Sequence, residues 1–347
     1  MAPVRQQTTR LTGQAGLTKY QIFNMNKLLN KIICGDCIEI LGEVSEPFAD
    51  LIFADPPFNI GYKYDKYYDK VKSKNYIAWT KEWMGVCKKV LKPNGSFYIA
   101  IGDEYAANVK VIADELELFM RNWIIWHYTF GQQTKKKFAR AHTHIFYFVN
   151  DKKNFTFNEH AVRVPSDRQL IYNDRRANPK GKMPDDVWGE FSRVCGTFKE
   201  RAGWHPCQMP ENLLKRIIAV SSVPGDCVLD PFSGSGTTLA AAKQSGRNYA
   251  GVEISRKYVE KTKKRLAQLE KQHFGNGSLK PAEMVELKRL LSDMVRLCSP
   301  LTEKDAERIA ADKELLALFA NQFSVRMNNE KRYSTEEIAT VLRDLAN

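Results

Sequence analysis

The sequence predicts a doubly wound α/β domain with a mostly parallel sheet, and two patterns carry that prediction. Short apolar runs rich in β-branched and aromatic residues recur at Lys31–Cys34, Asp50–Ala54, Ser96–Ile101, Trp123–Tyr128, Ile145–Val149, Cys227–Leu229 and Tyr249–Val252. Stretches with helical apolar spacing separate many of them, at Ile77–Leu91, Tyr105–Phe119, Glu211–Ser221 and Thr237–Ser245. Strands that alternate with amphipathic helices need crossover connections, and the crossovers cover both faces of a parallel sheet.

Bulk composition fits that size. A chain of 347 residues, 43% hydrophobic, can bury one large α/β domain and a smaller appendage. Charge is the departure: 53 Lys and Arg against 40 Asp and Glu leave a formal net charge of +13. Such a surplus favours a polyanion, through counterion release, or an anionic membrane surface. No apolar run approaches the roughly 20 residues that span a bilayer, so no transmembrane segment is expected. No apolar-cored signal peptide is seen either. The seven cysteines, Cys34, Cys37, Cys87, Cys195, Cys207, Cys227 and Cys298, form an odd, scattered set. That usage suits reduced thiols and a cytoplasmic protein. Cys34 and Cys37 make a Cys-x-x-Cys pair, but no second pair or histidine follows at ligand spacing. Small side chains at a strand end are expected there, and no metal.

Residues 1–24 are polar, carry Arg5, Arg10 and Lys19, and contain no acid. They read as a flexible extension, with a transit peptide as the alternative. The main domain is expected over residues 25–270. Within it, Lys92-Pro93-Asn94-Gly95 marks a helix-to-strand turn ahead of Ser96–Ile101. From Gly131 to Lys180 the alternation breaks down, and 11 Lys or Arg stand against four acids. Phe138, His142, His144, Phe155, Phe157 and Tyr172 are interleaved there. A basic, aromatic-rich insertion over about 131–185 suits a nucleic-acid-reading element, and a solvated surface loop is the alternative. Beyond Glu270, Gly275-Asn276-Gly277-Ser278 reads as a linker. Helices are expected over Pro281–Leu297, after Thr302-x-x-Asp305 and after Ser334-x-x-Glu337. The last two resemble capping boxes, in which the hydroxyl accepts from an orphan amide of the first turn. Residues 278–347 are therefore expected to form a small helical unit.

The strongest glycine motif runs Val228-Leu229-Asp230-Pro231-Phe232-Ser233-Gly234-Ser235-Gly236-Thr237-Thr238. A strand delivers Asp230 at its carboxyl end, the glycines let the backbone turn tightly, and a helix starting near Thr237 aims its amides back at the turn. A triphosphate-binding loop would need Lys after Gly236, where Thr237 stands. A dinucleotide fingerprint would need a third glycine at Leu239. An acid at the strand end instead suits a cationic amino-acid moiety, which S-adenosylmethionine carries. Glu253 closes the next predicted strand, Tyr249–Glu253, where a carboxylate can accept both hydroxyls of a ribose.

The second motif is Leu51-Ile52-Phe53-Ala54-Asp55-Pro56-Pro57-Phe58-Asn59. A buried strand ends in Asp55, and two prolines stiffen the adjoining turn while removing amide donors, which leaves a rigid acceptor-rich edge. The exocyclic amine of adenine or cytosine is conjugated with its ring and is a poor nucleophile. Accepting one hydrogen at the Asp55 carboxylate and the other at the Pro56 carbonyl frees its lone pair, and Asp55 carries part of the charge that develops. Phe58 offers a face on which an extruded base can stack. A structural turn is the alternative for Asp-Pro-Pro-Phe alone.

Together these motifs resemble the amino-methyltransferases of bacterial restriction-modification systems, the DNA N6-adenine and N4-cytosine enzymes. The resemblance covers about Asn26 to Leu269. It implies a sheet of the S-adenosylmethionine-dependent methyltransferase type, catalytic roles for Asp55, Pro56, Pro57 and Phe58, and cofactor contacts across Asp230, Pro231, Phe232, Ser233, Gly234, Ser235, Gly236, Thr237, Thr238 and Glu253. Gly35-Asp36 is similar to the family's upstream element, whose acid approaches the cofactor adenine. Asp186-Val187-Trp188 resembles an element ahead of the cofactor motif. His205-Pro206-Cys207-Gln208-Met209-Pro210 resembles one bordering the cofactor's methionine end, with Met209 where the family usually has Lys.

Catalytic motif first and cofactor motif last is the order of the family's β group, which puts target recognition in the basic insertion. Lys135, Lys136, Lys137, Arg140, Arg175 and Arg176 are expected to meet double-stranded DNA, mostly at the backbone. Asp at the head of the tetrad goes mostly with N6-adenine, with N4-cytosine as the alternative. The resemblance further implies a homodimer and, in paired systems, a cognate restriction endonuclease. Tyr62, Tyr64, Tyr67 and Tyr68, after the tetrad, suit either a loop closing over DNA or cofactor, or a packed surface.

Overall fold

The computed structural model describes residues 28–272 apart from 67, 133, 165–167, 169–173, 175, 177, 179–180 and 197–199, together with 310, 311, 316 and 335–346. The predicted N-terminal extension 1–24, Tyr67, Arg175, the linker Gly275–Ser278, the helix Pro281–Leu297 and the capping box at Thr302 lie outside the described residues.

Strands β1 (Lys31–Cys34), β2 (Ala49–Ala54), β5 (Leu91–Ile101), β6 (Phe119–Gln132), β7 (Arg140–Val149), β8 (Val187–Trp188), β9 (Cys227–Asp230) and β10 (Asn248–Glu253) form one sheet. Its order is β1-β10-β9-β2-β5-β7-β6-β8. The pairs from β1 to β5 are parallel, and β7 runs antiparallel to both β5 and β6. Every residue of β2, Ala-Asp-Leu-Ile-Phe-Ala, is buried, as a central parallel strand covered on both faces requires. Asp50 is tolerated there because Lys92 pairs with it at 2.8 Å and the Cys227 amide donates to it at 2.9 Å. A small hairpin, β3 (Tyr62–Lys63) with β4 (Tyr68–Asp69), stands apart from the sheet.

The helices follow the apolar spacing. In α2 (Ser73–Val90) the buried set includes Tyr76, Thr80, Trp83, Met84 and Cys87, and in α3 (Asp103–Glu115) Tyr105, Ala106, Val109, Ile112 and Ala113, each a stripe along one side. α1 (Cys37–Gly42), α4 (Glu211–Ser221) and α5 (Thr237–Gln244) complete the connections between strands, and α6 (Arg256–Gln272) follows the last strand, β10. Cys37 sits in the core while Cys34 is exposed, so the Cys-x-x-Cys pair does not converge. Among the described residues no metal-binding cluster occurs, and no helix is long and apolar enough to cross a membrane.

Two expectations shift. Lys92–Gly95 is not a turn outside the strand: β5 begins at Leu91 and absorbs it as a register shift between Ala49 and Leu51 on β2. The basic stretch 131–180 does not leave the sheet as one piece, because Arg140–Val149 is the interior strand β7. Its run Ile145–Val149 is buried at every position, and that burial outweighs the local charge.

The chain divides into two compact units. The first, residues 1–156, 186–214 and 221–266, holds the sheet. The second comprises 157–185, 215–220 and 267–347. In it Arg163 binds Glu159 at 2.8 Å and the Gly181 carbonyl at 2.9 Å, beside a bridge between Val164 and Lys182. The helix expected after Ser334 is α7 (Thr335–Ala346), which buries Ile338, Ala339 and Leu342.

Within the first unit, the crossover from β9 leads to β10 on one side and that from β2 leads to β5 on the other. The adjacent strands β9 and β2 therefore flank a topological switch point, where a crevice opens beyond their carboxyl ends.

Candidate active site

Asp55 and Asp230 take their places from that topology, one just past the end of β2 and one closing β9. Both line a single cavity of about 1360 Å³. A pocket for one small ligand is typically roughly 300–1,000 Å³, so this one has room for two.

The glycine loop is shaped by close approaches. Gly234 has φ +45°, and a Cβ there would stand 2.8 Å from His205 Nε2. Its amide donates to Glu253 Oε2 at 2.9 Å, while Ser255 N donates to Oε1 at 2.8 Å. Asp230 accepts from Phe232 N at 2.9 Å. Gly236 departs from expectation: it does not line the cavity. At φ +72° its missing Cβ makes room for Thr262 of α6, which would lie 2.2 Å away. Helix packing by itself requires a glycine there. Pro231, Phe232, Ser233, Ser235, Thr237 and Thr238 do line the cavity, as do Asp36 and His205. Asp36 also caps α1, accepting from Ile38 N at 2.7 Å.

The Asp55 loop is held from beneath. Tyr76 donates to the Pro57 carbonyl at 2.5 Å, whereas no donor among the described residues reaches the Pro56 carbonyl. The Asp69 carboxylate accepts from the Ile60 amide at 3.3 Å. Asn59, at φ +59°, locks the turn through Tyr105 Oη at 2.7 Å and the Val71 amide at 2.7 Å. Phe58 packs on Gly102, where a Cβ would come within 3.3 Å of its ring.

Electrostatics select the ligand. Burial pushes the Asp55 carboxyl up to about 7, with Asp230 adding repulsion. Burial likewise lifts Asp230 to about 7 against hydrogen bonds from Thr238 and Phe232, and it raises Glu253. Among the described residues none of the three has an ion-pair partner. Burial lowers His205 to about 4, leaving it neutral, and Met209 brings no charge to the cavity wall. Three buried carboxylates that no described cation pairs complement a positively charged ligand. The sulfonium and ammonium of S-adenosylmethionine fit that requirement.

The predicted DNA contacts are not brought together as a set. Lys135, Lys136 and Lys137 are exposed on the turn between β6 and β7. Arg140 lines the cavity and pairs with Asp103 at 2.9 Å. Arg176 belongs to the second unit and pairs with Asp174 at 3.0 Å. Tyr64 and Tyr68 line the cavity, Tyr64 donating to Cys207 Sγ at 3.9 Å, and Tyr62 is exposed. Asp65 joins them, accepting from Ser255 Oγ at 2.7 Å. Sequence reasoning missed Asp69, Tyr76 and Tyr105, because no local motif marks a residue that acts through tertiary contact.

Comparison with known proteins agrees with this arrangement. A family model described as DNA methylase matches residues 49–264. The type II methyltransferase M.HpaI of Haemophilus parainfluenzae is 38% identical over 237 residues, covering 68% of this chain and 74% of its own. The DNA adenine methyltransferase YhdJ of Escherichia coli K12 is 41% identical over 245 residues, covering 68% and 82%. The solved PvuII DNA methyltransferase (cytosine-N4-specific) superposes with a TM-score of 0.54 at 19% identity, covering 77% of this chain and 92% of that one, a likeness of fold. With its cofactor loop, its Asp-Pro-Pro-Phe turn and a matched model over most of its sheet, the chain belongs to the DNA methylase family.

Proposed function

We propose that this protein methylates N6 of adenine at specific sites in double-stranded DNA, using S-adenosylmethionine. The observation that carries the reading is the opening of Asp55 and Asp230 into one cation-seeking cavity with room for cofactor and base. Asp230, Glu253 and the loop Phe232–Ser235 would hold the cofactor, which when bound supplies an electrophilic methyl group. The chain's own groups prepare the nucleophile. Asp55 accepts one hydrogen of the target amine, and the Pro56 carbonyl, which no donor among the described residues reaches, accepts the other. Tyr76 and Asp69 hold that edge still, so little reorganisation is needed as positive charge grows on the nitrogen. Phe58 stacks on the base, which must leave the duplex to reach so deep a site.

Adenine is favoured over cytosine because Asp heads the tetrad and YhdJ is an adenine enzyme by name. The same reading includes a homodimer, tested by sizing in solution, and a cognate endonuclease, tested by protection of methylated DNA from cleavage. The direct experiment is transfer of labelled methyl to unmethylated genomic DNA, with Asp55→Ala as control, followed by nucleoside analysis. Label in N6-methyladenine with the wild type only is expected. Label in N4-methylcytosine would replace adenine by cytosine, and no label with intact cofactor binding would overturn the DNA reading.

A further inference from the structure

Phe138 is 99% exposed, more than any other large apolar side chain among the described residues. Single apolar side chains on a surface are commonplace; the surroundings of this one are not. It tips the turn between β6 and β7, directly after Lys135-Lys136-Lys137 and two residues before Arg140. The Thr134 hydroxyl donates to the Lys137 carbonyl and closes the turn.

The hairpin stands at the mouth of the active site, since Tyr128 of β6 and Arg140 and His142 of β7 all line the cavity. Between the pairs His127 with His142 and Gln132 with Arg140, β6 carries extra residues, and such a bulge bends a hairpin. Two residues of extended chain span at most about 7 Å, so the Phe138 ring lies close to that mouth.

A base that enters the cavity leaves a gap in its stack. An aromatic ring flanked by lysines that grip phosphates fits such a gap. A second copy of this chain fits it poorly, because a two-fold contact would set the same lysines against each other. We infer that Phe138 is a wedge that enters the duplex beside the extruded base and holds it open. The inference rests on the DNA reading above.

The test compares wild type, Phe138→Ala and Phe138→Leu on a duplex carrying the mapped methylation site. The target adenine is paired in one substrate and faces an abasic position in the other. Stacking on an aromatic side chain is worth about fivefold to a hundredfold in equilibrium terms. On the paired duplex kcat/KM of Phe138→Ala is expected to fall by that range, while Phe138→Leu keeps most of the wild-type value. On the abasic duplex, where opening costs least, the Ala variant should return to within about twofold of wild type. An equal loss on both substrates, or no loss on either, overturns the wedge while an active wild type leaves the methylase reading intact. A wild type inactive on both duplexes overturns the DNA reading and the wedge with it.

Discussion

Replacing Asp55 by Asn should stabilise the protein while abolishing its chemistry. The Asp55 carboxyl sits at about 7 against an ordinary 3.8, chiefly from burial and then from Asp230. Its ionised form is therefore disfavoured in the folded state. Between about pH 4 and 7 the native protein holds a proton that the unfolded chain has released, so stability falls as pH rises through that window. Above pH 7 the penalty is complete, and a shift of about three units corresponds to about 4 kcal/mol. Part of it belongs to the repulsion shared with Asp230, which leaves about 2–4 kcal/mol for Asp55→Asn at pH 8. By pH 4 the advantage should shrink below about 1 kcal/mol. Denaturant unfolding without cofactor at pH 4, 6 and 8 reads this directly. Saturating S-adenosylmethionine should narrow the gap, because it gives the wild-type carboxylates a cation. Methyl transfer should fall by about a hundredfold or more, as for loss of a group that meets developing charge. An Asn variant less stable than wild type at pH 8, or a difference unchanged from pH 8 to pH 4, would refute the claim that this carboxylate is buried without compensation.

Three substitutions probe the rest of the site. Gly234→Ala places a methyl 2.8 Å from His205 Nε2 at a φ of +45°; cofactor affinity, read by calorimetry, should drop by tenfold or more while the sheet still folds. Glu253→Gln keeps one acceptor oxygen but turns an amide toward a backbone N–H, from Gly234 or Ser255; a cost of about 1–3 kcal/mol in stability and weaker cofactor binding are expected. Tyr76→Phe removes the donor to the Pro57 carbonyl; kcat should fall about three- to tenfold with KM for the cofactor unchanged, since a net hydrogen bond is worth roughly 0.5–1.5 kcal/mol. A change confined to cofactor KM would remove Tyr76 from the positioning of that loop.

Local pattern was legible in the amino-acid sequence. Periodicity located β1, β2, β5, β6, β7, β9 and β10 and the helices Glu211–Ser221 and Thr237–Gln244 to within a few residues, because burial on a sheet or helix face repeats along the chain, whereas the two-residue strands β3, β4 and β8 are too short to show a period. Asp55 and Asp230 could be picked out because a strand end, a proline pair and a glycine turn are contiguous features. Features that depend on distant segments were settled only by the folded chain. Strand order set β9 beside β2 and so merged two motifs 175 residues apart into one cavity. Packing on Thr262 fixes Gly236, which does not line the cavity, though it belongs to the same motif as Gly234. Asp69 and Tyr76 hold the catalytic turn from the neighbouring hairpin and helix, with no motif of their own. Charge shows the same division. Composition announced a basic chain, but the groups at the reaction centre are acidic and have no ion-pair partner among the described residues, and burial rather than the overall balance sets their ionisation.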